Sequence, residues 1–98
     1  MHPLAFRPKV AVELEEAAEW YSIQRPGLGD DFLAHFWKDV DSIAEWPLRW
    51  PKYYGPARRY IMSRFPYVIY YEVDGDLVRI LRVVHASRDP EAIRRSLY

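Results

Sequence analysis

The clearest indication of the fold comes from the segment FPYVIYYEVDGDLVRILRVVH, residues 65–85. It contains two runs rich in aromatic and β-branched residues, which are typical of strands. The pair Asp74-Gly75 separates the runs, and an Asp-Gly pair is typical of type I′ turns, in which both central residues have positive φ. We therefore predict a β-hairpin whose two-residue loop is Asp74-Gly75. The predicted register pairs Tyr71 with Val78, Tyr70 with Arg79, Ile69 with Ile80 and Tyr67 with Arg82.

Alternation along the two strands divides the hairpin into two faces. The first face is apolar and is the predicted core face; it carries Ile69, Tyr71, Val73, Val78, Ile80 and Val84. The second face is mixed and carries Val68, Tyr70, Glu72, Leu77, Arg79, Leu81, Val83 and His85. We predict that this second face is either open or covered by another chain. Arg82 falls on the core face, and we predict that it lies near the sheet edge, stacked on Tyr67.

Two amphipathic helices are predicted before the hairpin. Apolar residues recur at helical spacing from Pro8 to about residue 24, and proline suits the first position of a helix. The breaker cluster Pro26-Gly27-Leu28-Gly29 then predicts a turn. Asp30 and Asp31 supply carboxylates for the N-terminus of a second helix, which Pro47 ends.

The remaining segments are shorter. We predict a first strand within residues 3–7, a loop over 47–56, a strand over 58–63, and a short last helix from Asp89-Pro90 to about Leu97, with Ile93 and Leu97 as its apolar contacts. The order is β, α, α, β, β, β, short α. This order predicts a single α+β domain, residues 1–98, in which a helical hairpin packs on an antiparallel sheet.

Composition narrows the classes of function. The chain has no cysteine, which excludes disulfides and thiolate chemistry, and its three histidines are scattered, so no metal site is predicted. No apolar run is long enough to span a membrane and no signal peptide is evident, so we expect a cytoplasmic protein. The net charge is zero, but residues 1–48 carry four basic and nine acidic side chains, and residues 49–98 carry ten and five. The two halves either neutralise each other within the monomer or leave the arginine-rich half available to a partner.

The chain resembles the RelE/ParE superfamily of type II toxins. The resemblance rests on the order β-α-α-β-β-β, the helical hairpin broken at residues 26–29, the run Arg64-Phe65-Pro66-Tyr67-Val68-Ile69-Tyr70-Tyr71, and the ending His85-Ala86-Ser87-Arg88-Asp89-Pro90. It implies a toxin that needs no cofactor, is held inactive by a cognate antitoxin, and forms a toxin–antitoxin hetero-oligomer. The Phe-Pro-Tyr corner and the His-x-x-Arg-Asp-Pro ending favour the ParE-like branch, also called plasmid stabilisation proteins, whose members inhibit DNA gyrase by binding it.

The alternative within the superfamily is a RelE-like endoribonuclease that cuts mRNA on the ribosome. Such an enzyme uses cations around the scissile phosphate and an acid or base for proton transfer. The resemblance offers Arg59, Arg88 and His85 as its catalytic residues, but the position of a middle arginine falls at Val68. A C-terminal tyrosine used by other members has only Tyr98 as its counterpart.

Candidate binding residues follow from the same resemblance. The predicted target-binding residues are Arg58, Arg59, Arg64, Arg79, His85 and Arg88. The predicted antitoxin-binding residues are Trp46, Trp50 and Tyr70. Three alternative interpretations stay open. In the first, His85 only bonds a neighbour at a strand end; in the second, Arg88 pairs with Asp89; in the third, an acidic antitoxin tail docks on Arg58, Arg59 and Arg64. We expect Trp20, Tyr21 and Trp37 to pack in the core or between the helices.

Overall fold

A computed structural model describes the whole chain, residues 1–98. The elements are β1 (Leu4–Phe6), α1 (Pro8–Gln24), α2 (Leu28–Glu45), β2 (Lys52–Tyr54), β3 (Ala57–Ile61), β4 (Tyr67–Asp74), β5 (Leu77–His85) and α3 (Pro90–Leu97). The predicted α+β fold is confirmed. None of the three helices has the length and apolarity that a membrane crossing requires.

The five strands form one sheet in the order β1-β5-β4-β3-β2. All neighbouring pairs are antiparallel except β1 and β5, which run parallel. The predicted loop over residues 47–56 is wrong in part, because Lys52–Tyr54 pairs with β3 as a short edge strand. Three residues are too few to show the alternation of apolar and polar side chains that indicates a strand. This strand is therefore evident only from its hydrogen-bonded pairing with β3.

The hairpin turn lies one residue later than predicted. Val73 pairs with Val78 and Asp74 with Leu77, so the loop is Gly75-Asp76. Gly75 has φ +63° and no other residue of the turn has positive φ. This is the pattern of a type II′ turn, which needs glycine at its first central position, whereas a type I′ turn would force positive φ on an aspartate as well.

A β-bulge shifts the register a second time. Tyr71 pairs with Ile80 but Tyr70 pairs with Arg82, which leaves Leu81 as the extra residue on β5. The extra residue reverses the alternation beyond it, so Val83 faces the helical hairpin and Val84 faces the opposite side. The predicted faces of Val83 and Val84 are therefore wrong, and the predicted pairs of Tyr67, Ile69, Tyr70 and Tyr71 are replaced.

The helical hairpin covers the first face of the sheet. An aromatic cluster joins the two layers: Phe32 of α2 lies 5.4 Å from Tyr21, 5.2 Å from Phe65 and 5.0 Å from Tyr67 between ring centroids. Tyr21 is buried as expected. Trp20 and Trp37 are not, with 56% and 48% of their surface exposed, so the prediction that they pack in the core or between the helices is wrong. Trp20 borders a cleft between α1 and α3, and Trp37 packs edge to face on Phe6 of β1 with ring centroids 5.6 Å apart.

The first turn of α2 includes part of the predicted breaker cluster. The helix begins at Leu28, after Gly27 with φ +86°. Gly29 lies against α1: a Cβ atom there would come within 2.1 Å of the Ser22 Oγ and 2.3 Å of the Ala18 carbonyl oxygen. The second glycine of the cluster therefore permits close helix packing rather than a turn.

The second face of the sheet is covered by the chain's own α3. Ile93 and Leu97 pack on Val68, Tyr70, Leu81 and Val84, which confirms the predicted contacts of the last helix. Asp89 caps the first turn by accepting the Glu91 N–H at 3.2 Å. At the other end, the Arg7 guanidinium donates to the carbonyl oxygen of Leu97 at 3.0 Å. The prediction that this face is open or covered by another chain is wrong, because an eight-residue helix is long enough to cover it.

A buried carboxyl links α2 to the sheet. Asp39 is 6% exposed, and its Oδ1 accepts the hydroxyl of Tyr60 at 2.7 Å. Burial raises the pKa of Asp39, and the hydrogen bond from Tyr60 offsets part of that rise. Burial and the neighbouring carboxyl together raise the pKa of Tyr60 well above its usual range.

Replacing Asp39 with asparagine is expected to stabilise the protein relative to wild type as the pH rises from about 4 to about 7. The amide oxygen still accepts the Tyr60 hydroxyl, but the variant carries no buried charge. Because the folded-state pKa of Asp39 lies above its unfolded value, the stability that this carboxyl contributes is complete below the unfolded pKa and is lost as the pH rises through the folded pKa. Urea unfolding of both proteins at both pH values measures the difference, with Asp41→Asn on the exposed side of α2 as the matched control. A difference that does not change with pH would contradict this account.

Candidate functional site

A cleft of about 580 Å³ lies between α1, the end of β5 and α3. We call it the α1–α3 cleft. Its wall on α1 is formed by Lys9, Val12, Glu13, Glu16, Ala17 and Trp20, its floor by Tyr67, Arg82, Val83, Val84 and His85, and its other wall by Arg88, Ala92 and Ser96. Two of the predicted site residues, His85 and Arg88, therefore share one concave surface.

His85 stands at the end of β5 on the helical-hairpin face. It pairs with Tyr67, and the two rings meet edge to face with centroids 5.3 Å apart. The backbone N–H of Ser87 donates to His85 Nδ1 at 3.1 Å. Because a backbone N–H can only donate, the neutral ring carries its proton on Nε2. The predicted position of His85 on the second face is wrong, since the bulge at Leu81 reverses the alternation.

Arg88 extends from the turn after β5. Its backbone N–H donates to the His85 carbonyl at 3.1 Å, while its side chain is exposed. No carboxylate lies within 4.0 Å of the guanidinium, so the local pair with Asp89 is not formed. Burial raises the pKa of Tyr67, and the positive charge of Arg88 opposes that rise. The Arg88 guanidinium is thus an unpaired positive charge near the Tyr67 ring.

An ion pair forms the floor of the cleft near α1. Arg82 is 4% exposed, and its Nε donates to Glu13 Oε2 at 3.0 Å while its Nη1 donates to Ser96 Oγ at 2.7 Å. The other oxygen of Glu13 accepts the Val83 N–H at 3.2 Å. This network explains a charged residue on an apolar strand: Arg82 joins α1 and α3 to the sheet and does not stack on Tyr67.

The predicted catalytic residues do not converge. Arg59 pairs with Tyr70 on β4, and its guanidinium lies 4.7 Å from the ring centroid of Tyr53, on the α3 side of the sheet. His85 pairs with Tyr67 on the opposite side. The sheet therefore separates Arg59 from His85 and Arg88. The side of the sheet that His85 faces could not be predicted from the sequence. The β-bulge at Leu81 reverses it, and the alternation of apolar and polar residues does not reveal that bulge.

The other predicted target-binding arginines are dispersed. Arg58 is turned towards the loop before β2, where it donates to the Trp50 carbonyl at 2.7 Å. Arg79 is paired with Glu72 at 2.7 Å, close to the hairpin turn. Arg64 is exposed on the β3–β4 connection. Only His85 and Arg88 of the six lie in the α1–α3 cleft.

The predicted antitoxin-binding residues have different surroundings. Trp46 is 58% exposed at the end of α2. Trp50 is partly buried and packs edge to face on Tyr60, with centroids 4.7 Å apart. Tyr70 is only 5% exposed, since it lies under α3 and beside Tyr53. Of the three, Trp46 offers the largest open surface.

Three apolar residues exposed on α1 are absent from the predicted binding residues: Val12 and Ile23 have no predicted role, and Trp20 is predicted to pack in the core or between the helices. Val12, Trp20 and Ile23 are 54%, 56% and 74% exposed, and their spacing places them on one side of the helix. The available signal was an apolar stripe on a different side of α1 from the buried residues Val10, Leu14, Ala17 and Tyr21. Exposed aromatic and aliphatic groups in a row are typical of surfaces that bind other proteins.

Comparison with known proteins agrees with this architecture. Residues 4–90 match the family described as "ParE toxin of type II toxin-antitoxin system, parDE". No curated protein matches the chain. Among solved structures, the chain is similar to one titled "Chromosomal ParDE TA system from P. aeruginosa", with a TM-score of 0.78, 19% sequence identity, and coverage of 87% of this chain and 96% of that one. Because the family match covers most of its length, the chain belongs to the ParE toxin family of type II toxin–antitoxin systems.

Proposed function

We propose that this toxin acts by binding DNA gyrase and inhibiting it, and that a cognate antitoxin neutralises it in a hetero-oligomeric complex. Membership in the ParE family supports the proposal, and so does the distribution of the charged residues. A metal-independent nuclease would need several cations and an acid or base around one phosphate. The separation of Arg59 from His85 and Arg88 is the observation that favours binding over cleavage.

The middle position of the nuclease constellation also lacks a cation. Val68 occupies it and is 4% exposed beneath α3. A valine side chain neither donates a hydrogen bond to phosphate nor carries charge. Tyr98, the C-terminal tyrosine, donates to Glu72 Oε2 at 3.2 Å, near the hairpin, and does not reach the α1–α3 cleft.

A supercoiling assay with purified gyrase tests the proposal directly. The toxin is expected to inhibit supercoiling in a dose-dependent way, and addition of its antitoxin is expected to restore it. Sequencing of mRNA 5′ ends after expression of the toxin alone supplies the opposing measurement. Codon-phased cuts in mRNA without inhibition of gyrase would establish the ribonuclease alternative instead.

Replacing Arg88 with alanine is expected to weaken inhibition about tenfold, corresponding to about 1.4 kcal/mol of binding free energy. The guanidinium is exposed and unpaired, so its removal leaves no buried charge and the melting temperature is expected to stay within about 2 °C of wild type. Arg95→Ala is the matched control, since Arg95 is exposed on the outer side of α3 and outside the cleft. Equal effects of the two substitutions would mean that only overall charge matters.

A further inference from the structure

Two arginines lie over one tyrosine on the α3 side of the sheet. The guanidinium carbon of Arg59 is 4.7 Å from the centroid of the Tyr53 ring, and that of Arg94 is 5.8 Å from the same centroid. Tyr53 belongs to β2, Arg59 to β3 and Arg94 to α3. Three separate elements therefore bring two positive charges to one place, and we call Tyr53, Arg59 and Arg94 the arginine cluster.

The position of the arginine cluster is fixed by the sheet and by α3. Tyr53 packs on Tyr70 with ring centroids 5.5 Å apart, and Arg59 pairs with Tyr70 across β3 and β4. Burial raises the pKa of Tyr70, and the positive charge of Arg59 opposes that rise. Arg94 follows Ile93, whose buried side chain docks α3 on the sheet. Because both guanidinium groups are held in place before a ligand arrives, a ligand that binds them loses less side-chain entropy.

The positive charge of the cluster is poorly neutralised within the protein. No carboxylate lies within 4.0 Å of Arg59. Arg94 has one carboxylate neighbour, Glu91 at 3.6 Å on the same helix, and these side chains are 40% and 65% exposed. Exposed ion pairs of this kind contribute little energy and exchange readily for another anion. By contrast, Arg79 pairs with Glu72 at 2.7 Å.

The chemistry of the cluster favours phosphate groups as the ligand. A guanidinium group presents a planar fork of N–H donors that matches the oxygens of phosphate. The Tyr53 ring already lies beneath two guanidinium groups, so we do not expect it to stack on a nucleobase. The cluster therefore offers two fixed charges and no base readout. The backbone of DNA, with about one negative charge per 1.7 Å of helix axis, is bound by such charges independently of sequence.

The arginine cluster is distant from the α1–α3 cleft. In the strand order β1-β5-β4-β3-β2, the cluster lies at the β2 end of the sheet and the cleft lies beside the end of β5. Strand β4 runs between them. A protein bound in the cleft through Arg88 therefore leaves the arginine cluster open to a second ligand.

We propose that the arginine cluster binds backbone phosphates of DNA and that the toxin uses it on the DNA held by gyrase. The identification of gyrase-bound DNA as the ligand rests on the proposed function. The ability of the cluster to bind DNA phosphates does not depend on it. Arg59 then serves as a phosphate contact together with Arg94, which is absent from the predicted target-binding residues.

NMR titration of the isotopically labelled wild-type toxin with a short DNA duplex tests the site. The side-chain Nε–H signals of Arg59 and Arg94 are expected to shift progressively as DNA is added, because these groups become hydrogen-bonded to phosphate. Arg25, exposed at the end of α1 in the helical layer, is the internal reference and its signal is expected to stay in place. Equal shifts at Arg25 and at the cluster would overturn the proposal.

Inorganic phosphate and poly-glutamate are the competing anions in the same titration. DNA is expected to saturate the Arg59 and Arg94 signals at a charge concentration at least about fivefold lower than either, since its dense charge releases condensed counterions on binding. Extended poly-glutamate carries only about one charge per 3.3 Å. Equal saturation by inorganic phosphate would indicate a site for an isolated anion, and equal saturation by poly-glutamate would indicate a site for an acidic protein. Either result would overturn the proposal.

The double variant Arg59→Gln with Arg94→Gln removes both charges but keeps long polar side chains. Its affinity for the duplex at low salt is expected to fall at least about tenfold, and the slope of log K against log salt concentration is expected to fall by about 2, which corresponds to two phosphate contacts. Arg25→Gln with Lys38→Gln, two exposed residues of the helical hairpin, removes the same charge and is the matched control. It is expected to bind within about twofold of wild type.

Melting curves identify any loss of folding in these variants. If the Arg59 and Arg94 variant does not fold, the NMR titration of the wild-type toxin decides the matter. Wild-type affinity and salt dependence in the folded double variant would overturn the proposal, and so would an equal loss in the control.

Binding to gyrase distinguishes the cluster proposal from the proposed function. The wild-type toxin is expected to bind gyrase loaded with DNA at least about fivefold more tightly than gyrase alone, and the Arg59 and Arg94 variant is expected to lose only this difference. Equal affinity of the wild-type toxin for both forms of gyrase would overturn the use of the cluster on gyrase-bound DNA. Absence of binding to either form would overturn the proposed target, while the titration with free DNA would be unaffected.

Discussion

Replacing Arg82 with methionine is expected to lower the free energy of unfolding by about 3–5 kcal/mol, since removing one partner of a buried ion pair leaves the other charge without compensation. Glu13 stays close to the sheet because it also accepts the Val83 N–H, so its carboxylate cannot move fully into water. The hydroxyl of Ser96 loses its donor at the same time, which loosens α3. Urea unfolding followed by circular dichroism measures the change.

The double variant Glu13→Leu with Arg82→Met provides the control. Replacing both charges with apolar groups of similar size removes the uncompensated carboxylate, and we expect it to recover at least half of the lost stability. The Val83 N–H then lacks its acceptor, which prevents full recovery. A double variant less stable than Arg82→Met alone would show that the ion pair contributes little and that Glu13 acts mainly through the Val83 N–H.

Replacing Phe32 with alanine is expected to lower the free energy of unfolding by about 3–5 kcal/mol. The Phe32 ring is fully buried and contacts Tyr21, Phe65 and Tyr67, so its removal leaves a cavity at the point where α1, α2 and the sheet meet. For a domain of this size, the loss corresponds to a fall in melting temperature of more than about 12 °C. A thermal scan by circular dichroism measures it.

Trp37→Ala on the same helix is the matched control. Trp37 is a larger aromatic residue, but it is 48% exposed and contacts mainly Phe6 and Phe36. Its loss is expected to cost about 1 kcal/mol, since most of the vacated space opens to solvent. If both variants were destabilised equally, the aromatic cluster around Phe32 would not be the centre of the core.

Local patterns predicted most of the elements. Helix α1 was predicted from Pro8 to about residue 24 and runs from Pro8 to Gln24. The end of α3 and its apolar contacts, Ile93 and Leu97, were also predicted correctly. These features depend on neighbours within a few residues, since side-chain spacing, proline positions and capping groups act over one or two helical turns.

The candidate site was predicted only in part. His85 and Arg88 lie in one cleft because the turn after β5 brings them together locally. Arg59 was assigned to the same place, but it lies across the sheet. A strand position faces one side or the other according to its register, and a single extra residue such as Leu81 exchanges the sides for every residue beyond it.

Periodicity and turn residues along the chain are enough to predict the class of fold, the helical hairpin, the existence of the central β-hairpin and the resemblance to the toxin superfamily. Three further features are visible only in the folded protein: the register of residues 65–85, the cover of the second face by α3 and the burial of Arg82 against Glu13. The tertiary structure also decided that β1 pairs with β5 only from Val78 to Ile80. These features arise from pairing between residues far apart in the chain, which the residues on either side of each position do not encode.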